Sequence, residues 1–440
     1  MKIIRWERKF LQRMFLLGIM LIYITGLQLG YVYLVANQYG LGYSLYIPTL
    51  GEIVLASLLA WLPAWVIPIE LNKPSVAVGW LLYLTAYVSS MVIPAYTGVS
   101  SGFWWWRLFT FLGCIIIVWP KNIKALYIKS ISPGIYKIMI SGILSLSVFI
   151  VLKTYGLQYH IPSFSEIYQI RKIYASSINS RWIGYAVEYL GNVFGVFIFA
   201  MALIRKKPVY FIWGIVLIIL EYTTTAFKSV LFIPLLLLGI WFLSYHQRKR
   251  YFGIYISTGY VTIIGLSFIT AQIFDLLHPL NVANLFLRRT LIIPGLIAGF
   301  YFAEFNGGPL VLFSNGVLQN VVRYPFQEPY QYIVANRYFG APGGDTVGNI
   351  WADAYVQLGF IGIILMSLVL RGLLELIDRK WTSSGKEVVF ASLVLSIQAF
   401  TLSNTSLQTT LLSHGLLLSS ILLLLMPNRL KNSLFETNEA

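Results

Sequence analysis

Closely spaced arginine residues are the side chains of this sequence best suited to bind an anion. Arg288 and Arg289 are adjacent and precede an apolar run, whereas Arg171 and Arg181 belong to an earlier polar stretch. A guanidinium group binds phosphate through two parallel hydrogen bonds, and its charge is poorly screened beside lipid headgroups. These residues therefore indicate a lipid diphosphate as the ligand. The simpler alternative is that the arginine pair only touches phospholipid headgroups.

A second group of candidates consists of ionisable residues inside strongly apolar runs, where a charge is costly and usually functional. They are Glu52, Arg107, Glu188, Glu221, Lys228 and Asp353. In the topology predicted below, each falls near the external end of its helix, which indicates one shared, water-accessible cavity. We assign Arg107, Lys228 and Asp353 to substrate binding. The alternative is that they are ordinary interfacial charges at helix ends.

The possible general bases on the external side, with Glu304 and His278 as the first choices, are His160, His278, His414, Glu166, Asp275, Glu304, Glu328, Asp345 and Asp353. Glu304 is embedded among aromatic residues, and burial there would raise its pKa toward the range useful for accepting a proton. His278 follows an apolar run directly and could equally be only an interfacial residue. Both lie in the same long segment as Arg288 and Arg289, so the sequence predicts that base and cations act together.

Motifs for nucleotides and metals are missing from the sequence. It contains no Walker A motif, no GxGxxG before a helix, no HExxH, no DxD pair and no His/Cys cluster. We therefore expect chemistry without a metal or another cofactor.

The elements that must position these residues are membrane helices. The 440 residues are 58% hydrophobic and only 11% charged, far below the roughly 25% charged residues of soluble chains. The fold class predicted is all-α, a polytopic integral membrane protein forming a single domain over residues 1–440. The net charge of +16 does not indicate nucleic-acid binding, because 22 of the 32 lysines and arginines fall in regularly alternating cytoplasmic segments, where they contact anionic lipids.

About twelve apolar runs are long enough to be transmembrane helices, since a bilayer core of about 30 Å needs roughly 20 residues. The runs are 14–36, 46–68, 76–97, 103–119, 135–155, 184–204, 208–222, 226–244, 252–272, 347–370, 387–405 and 410–426. The positive-inside rule places both termini in the cytoplasm. Residues 156–183 then form a medium external loop and residues 273–346 a large one containing short helices. The apolar stretch 291–305 is interrupted by Pro294 and Gly295, so we expect a re-entrant or interfacial helix.

With these motifs in place, the chain resembles the O-antigen polymerase family, the oligosaccharide repeat-unit polymerases of bacterial envelopes. The two loops match the family layout. Three stretches resemble its motifs: Arg288-Arg289-Thr-Leu-Ile-Ile-Pro294-Gly295 followed by Tyr301-Phe302, with Gly299 eleven positions after Arg288; Asn349 through Gly362; and Thr225-Ala-Phe-Lys228-Ser229 followed by Pro234. The medium loop departs from the family spacing, because Gly184 lies thirteen positions after Arg171.

The resemblance implies a metal-independent inverting glycosyltransferase that polymerises undecaprenyl-diphosphate-linked repeat units at the outer face of the bacterial plasma membrane. The polymer would be O-antigen, capsule or exopolysaccharide. In this role Arg288, Arg289 and Lys228 would stabilise the diphosphate leaving group, and Arg171 and Arg181 would guide the substrate. Glu304 or His278 would accept the proton, and Arg337, Asp353 and Arg107 would contribute to substrate binding. Membrane lipids, a chain-length regulator and a flippase are the implied partners.

Two alternatives remain open from the sequence. An O-antigen ligase would use the same donor with a different acceptor. A lipid-linked oligosaccharide flippase or other transporter would instead show pseudo-symmetric halves and charges at mid-membrane depth. The charges of this chain are confined to one end of the predicted helices.

Overall fold

The computed structural model describes residues 2–99, 104–121, 130–156, 166–177, 180–382 and 385–435. Every regular element in these ranges is a helix, which confirms the all-α prediction. The first helices in chain order are α1 (Lys2–Gly30, extended by the π-helical turn Tyr31–Val35), α2 (Leu50–Trp65), α3 (Pro74–Thr97), α4 (Trp104–Val118), α5 (Pro133–Tyr155), α6 (Ile167–Ser177), α7 (Arg181–Arg205) and α8 (Pro208–Thr225).

The remaining helices are α9 (Lys228–Ser244), α10 (Phe252–Ile273), α11 (Ala283–Phe305), α12 (Tyr330–Phe339), α13 (Ile350–Lys380), α14 (Gly385–Thr401), α15 (Leu407–Leu412), α16 (Leu416–Leu425) and α17 (Asn428–Phe435). Side-chain caps fix several of the starts, because the hydroxyl or amide oxygen accepts a backbone N–H of the first turn. Thr49, Ser132, Asn349 and Ser406 act in this way at the starts of α2, α5, α13 and α15.

The lengths and composition of these helices are those of a multi-pass membrane protein. In the described ranges, eight helical segments are long and apolar enough to cross a bilayer, and four shorter apolar helices accompany them. Each of the twelve apolar runs coincides with helix. The segment after α10 differs from the prediction, because helix begins at Ala283 rather than near residue 291. The 23 residues of α11 match a span in length.

One end of the bundle gathers most of the basic residues, and we refer to it as the basic end. Contacts between the chain segments at this end are made by Arg13, Lys73, Lys121, Lys249, Arg371, Lys380 and Lys431. Arg13 donates to the carbonyls of Ala64 and Ile67, and Lys431 forms an ion pair with Glu387 at 2.6 Å. The opposite end, which we call the loop end, carries residues 36–49, 274–282 and 306–349.

Helix α13 is broken close to the loop end. Leu358 and Gly359 leave the helical conformation, and Gly359 has φ +64°, which favours glycine. The break frees the carbonyl groups of Val356 and Gln357, which accept hydrogen bonds from the backbone amides of Val311 and Leu312 at 3.0 Å. Irregular backbone at membrane depth is tolerated only when such groups are satisfied within the protein. The segment after α11 supplies these donors.

Candidate functional site

A cavity of about 700 Å³ lies between the described residues and is lined mainly by α7, α9, α10 and α11, the start of α6, the end of α14, and residues 404, 405 and 414. Its walls are mostly apolar, yet three cations line it: Arg171, Lys228 and Arg289. They belong to three different helices, α6, α9 and α11. The structure therefore brings together three of the residues that the sequence assigned to an anion.

The turn between α8 and α9 positions two of these cations. Arg171 donates from Nε and Nη2 to the Ala226 carbonyl at 3.3 and 3.1 Å, and its guanidinium lies 5.2 Å from the centre of the Phe227 ring. Lys228 follows directly as the first residue of α9. Both Arg171 and Arg289 are close enough to Lys228 to repel its charge. Like charges held together in this way would be stabilised by a bound anion.

Helix α11 separates the two adjacent arginines. Arg288 is buried, donates to Asn284 Oδ1 from Nε and Nη2 and to the Tyr43 hydroxyl from Nη1, and lies 4.1 Å from the Tyr39 ring centre. Arg289 is exposed and lines the cavity. The two side chains therefore differ: Arg288 holds α11 against residues 39–43, and only Arg289 is available to a ligand.

A carboxylate and an imidazole form another part of the cavity wall. His414 Nδ1 lies 2.9 Å from Glu188 Oε2, and Asn192 Nδ2 donates to the same oxygen at 2.8 Å. An ionised carboxylate only accepts hydrogen bonds, so we assign the proton to Nδ1, which leaves Nε2 as a proton acceptor. A histidine oriented by a carboxylate in this way is suited to general-base catalysis.

Glu221 of α8 holds the irregular part of α7 in place. Its Oε2 accepts the backbone amides of Gly191 and Asn192 at 2.6 and 3.1 Å, and its Oε1 accepts Asn192 Nδ2 at 2.9 Å. A Cβ atom on Gly191 would lie 2.4 Å from the Glu221 carboxylate, so only glycine permits this approach. The π-helical turn Leu190–Gly195 lies at these residues, and such turns are frequent at functional sites.

The cavity continues as an apolar groove between α9 and α10. Leu236, Ile240 and Leu243 line it from α9, and Ile256 and Ile263 from α10. From Lys228 to Leu243 the groove follows α9 for about 20 Å, at 1.5 Å per residue. Gly239 and Gly259 also line it, and neither has an atom within 4 Å of the position that a Cβ would take.

Four predicted site residues lie away from this cavity. Glu304 forms an ion pair with Arg337 at 2.9 Å, and His278 stacks on Phe274 with ring centres 4.6 Å apart. Arg181 donates to Gln319 Oε1 at 2.6 Å. None of the four is a wall residue of the cavity that the described residues form. The structure thus does not bring the two expected bases to the three cations.

Asp353 and Arg107 are buried elsewhere. Asp353 accepts hydrogen bonds from the Tyr330 hydroxyl at 2.5 Å and from Gln408 Nε2 at 3.3 Å, and so links α12, α13 and α15. Arg107 is buried within α4 and is attracted by Glu52, which also forms a capping box with Thr49. Neither residue belongs to the cavity wall within the described part of the chain.

Sequence reasoning noted Glu188 as an ionisable residue in an apolar run but did not pair it with His414. The two are 226 positions apart, and no spacing rule connects them. The local signal for a special role of Glu188 was its place inside a span, one turn from Gly191 and Asn192. Among the described residues, no three His, Cys, Asp or Glu side chains converge as metal ligands would.

Comparison of the chain with protein-family models, curated proteins and solved structures finds no match.

Proposed function

We propose that this protein is a glycosyltransferase of the bacterial plasma membrane that polymerises undecaprenyl-diphosphate-linked oligosaccharide repeat units. One observation carries the proposal: three cations from three helices line one end of a cavity that continues as a long apolar groove. A polyprenyl diphosphate has the matching chemistry, with a doubly charged head and a long hydrocarbon chain. Burial of the hydrocarbon would contribute about 25 cal/mol per Å² of apolar surface.

The contacts at the basic end support a topology with twelve crossings and both termini in the cytoplasm. The start of α10 contacts Ile69, and the end of α13 contacts Ser75 through Asp378, so both helices reach the basic end. Residues 274–349 therefore begin and end at the loop end, and α11 makes no net crossing. By the positive-inside rule the basic end faces the cytoplasm and the loop end faces the exterior.

In the proposed reaction, Arg171, Lys228 and Arg289 bind the diphosphate of the donor, which carries the growing glycan. The acceptor is a hydroxyl group on the non-reducing sugar of a second lipid-linked repeat unit. Its oxygen attacks the anomeric carbon from the face opposite the diphosphate, so the carbon–oxygen bond to the diphosphate breaks as the new glycosidic bond forms. The three cations stabilise the negative charge that develops on the leaving polyprenyl diphosphate.

His414 is proposed as the general base. Its Nε2 takes the proton from the attacking hydroxyl group, and Glu188 stabilises the resulting imidazolium through Nδ1. This assignment replaces Glu304 and His278, which lie away from the cations. Asn192 and Glu221 act as positioning residues, because Asn192 donates to the Glu188 carboxylate from the cavity wall and Glu221 in turn holds Asn192.

The test is an assay with the purified full-length protein in lipid vesicles. Its substrate is the lipid-linked repeat unit that accumulates in host cells lacking this chain. Polymer should form without nucleotide or added metal. If the glycan instead moves only onto a lipid A–core acceptor, the protein is a ligase. If lipid-linked units cross the vesicle membrane without being joined, it is a transporter.

The topology is tested by labelling single cysteines in intact cells. Val321→Cys at the loop end should react with an impermeant maleimide, and Asn432→Cys should react only after the membrane is permeabilised. Both positions are exposed, and the native Cys114 is buried. Labelling of Asn432→Cys in intact cells together with protection of Val321→Cys would overturn the proposed orientation.

A further inference from the structure

The first turns of α7 carry a row of aromatic rings that leads to the proposed active site. The aromatic row consists of Trp182, Tyr185 and Tyr189, spaced three and four residues apart and therefore on one side of the helix. The ring centres of Trp182 and Tyr185 are 6.0 Å apart and those of Tyr185 and Tyr189 are 6.1 Å apart. Trp182 is 75% exposed, and the two tyrosines are partly exposed.

The inner end of the aromatic row adjoins the Glu188–His414 pair. The Tyr189 hydroxyl donates to the Leu412 carbonyl at 2.8 Å. The Tyr189 ring also lies 3.3 Å from the position that a Cβ would take on Gly415, the residue after His414. Glu188 precedes Tyr189 in the chain. The row therefore ends beside the residues that we assign to proton transfer.

Polar groups and open space accompany the rings. Arg181, the residue before Trp182, donates to Gln319 Oε1 at 2.6 Å, so a guanidinium and an amide group lie at the outer end of α7. Gly184 lies three residues after Arg181 and four residues before Glu188, so the three residues share the adjoining side of α7. Among the described residues, no atom lies within 4 Å of the position of a Cβ on Gly184, so they leave this side of the helix open.

We propose that the aromatic row and the open side at Gly184 form a binding track for an oligosaccharide that extends out of the active site. This inference rests on the proposed function and names the path of its glycan. Sugar rings pack their C–H faces against aromatic rings, while their hydroxyl groups need hydrogen-bonding partners such as Arg181 and Gln319. An interfacial belt in contact with lipid would need the apolar rings but not these polar neighbours.

Four variants of the full-length protein test the track. Trp182→Ala combined with Tyr185→Ala removes the rings, and Trp182→Leu combined with Tyr185→Leu keeps apolar side chains that could still contact lipid. Gly184→Leu fills the open side, and its Cβ meets no neighbouring atom. Trp105→Leu removes an exposed tryptophan of α4 as the matched control, since Trp105 is 63% exposed and lies outside the row.

The first measurement is binding of the oligosaccharide released by mild acid from the lipid-linked precursor of the same cells. We expect both double variants to bind it about tenfold more weakly, corresponding to roughly 1.4 kcal/mol for two lost stacking contacts. Gly184→Leu should also weaken binding, and Trp105→Leu should not. If the leucine double variant bound the oligosaccharide as tightly as the wild-type protein, the rings would contact lipid rather than sugar, and this would overturn the proposal. Absence of binding by the wild-type protein would overturn it as well.

The second measurement is the length of the polymer made in vesicles. Both double variants should make shorter polymer while joining the first two repeat units at nearly the wild-type rate, because the track holds glycan that is already extended. Unchanged polymer length would contradict the track. A wild-type protein that binds the oligosaccharide but joins no units would instead contradict the proposed polymerase function and leave the binding site established.

Discussion

Replacement of the two adjacent arginines of α11 by alanine should affect two different properties of the protein. Arg289 lines the cavity and is exposed, whereas Arg288 is buried and hydrogen-bonded to Asn284 and Tyr43. Arg289→Ala should therefore lower the rate of transfer and leave thermal stability unchanged. Arg288→Ala should first lower stability, and its effect on the rate should follow from displacement of α11.

The size of the Arg289 effect can be estimated from its surroundings. Two unit charges about 4 Å apart interact with about 4 kcal/mol at an effective dielectric constant of about 20, and with about 1 kcal/mol in water. Because Arg289 is exposed within a mostly apolar cavity, we expect about 2–3 kcal/mol of lost transition-state stabilisation. This corresponds to a roughly 30- to 150-fold slower reaction. Arg289→Lys keeps the charge and should recover part of the rate.

The Arg288 effect follows from its hydrogen bonds. The guanidinium makes three, two to Asn284 Oδ1 at 3.0 and 2.7 Å and one to the Tyr43 hydroxyl at 3.1 Å. Hydrogen bonds to charged groups contribute about 1.5–3 kcal/mol each, and the two to one oxygen are not independent, so we expect a loss of about 3 kcal/mol.

The assay combines single-turnover transfer rates with thermal unfolding in the same detergent. Arg323→Ala is the matched control, because Arg323 is an exposed arginine of the loop end that does not line the cavity formed by the described residues. The reasoning is refuted if Arg289→Ala transfers at the wild-type rate while Arg288→Ala unfolds at the wild-type temperature.

Two further predictions concern other parts of the molecule. Glu188→Gln and His414→Gln should each slow transfer by about 10²- to 10⁴-fold. The double variant should be little slower than either single variant, because the two residues act as one unit. Additive losses in transfer assays would contradict this. Gly191→Ala should lower thermal stability by about 1–3 kcal/mol through its clash with Glu221, whereas Gly184→Ala, where a Cβ meets no atom, should be neutral or stabilising; equal melting temperatures would refute the close approach.

Helix positions were predictable from the sequence because apolar runs in a membrane protein have little alternative to helix. Each of the twelve runs coincides with helix. The extent of α11 was less predictable, since Pro294 was expected to interrupt it. Within α11 the winding changes from π-helical over Ala283–Ile292 to α-helical over Ile293–Phe305, and Pro294 lies at the start of the α-helical part. Proline is tolerated at such a start, so the helix continues through residues 283–305.

The candidate site was predictable only in part. Arg171 and Arg289 were identified as basic residues of the predicted external loops, and Lys228 as a charge inside an apolar run. The different roles of Arg288 and Arg289 depend on the π-helical winding of residues 283–292, which decides the side of the helix on which each lies. The Glu188–His414 pair depends on the packing of α7 against the α15–α16 corner. Neither the different roles of the two arginines nor the Glu188–His414 pair has a local signature in the sequence.

The break in α13 fixes the position of the chain segment that follows α11. The amides of Val311 and Leu312 occupy the carbonyl groups freed at Val356 and Gln357, so an outward swing of residues 309–318 would strip two acceptors of their partners. In apolar surroundings each would cost about 1–3 kcal/mol. Residues 309–318 should therefore keep their position, and in the proposed reaction a long glycan would have to move past them.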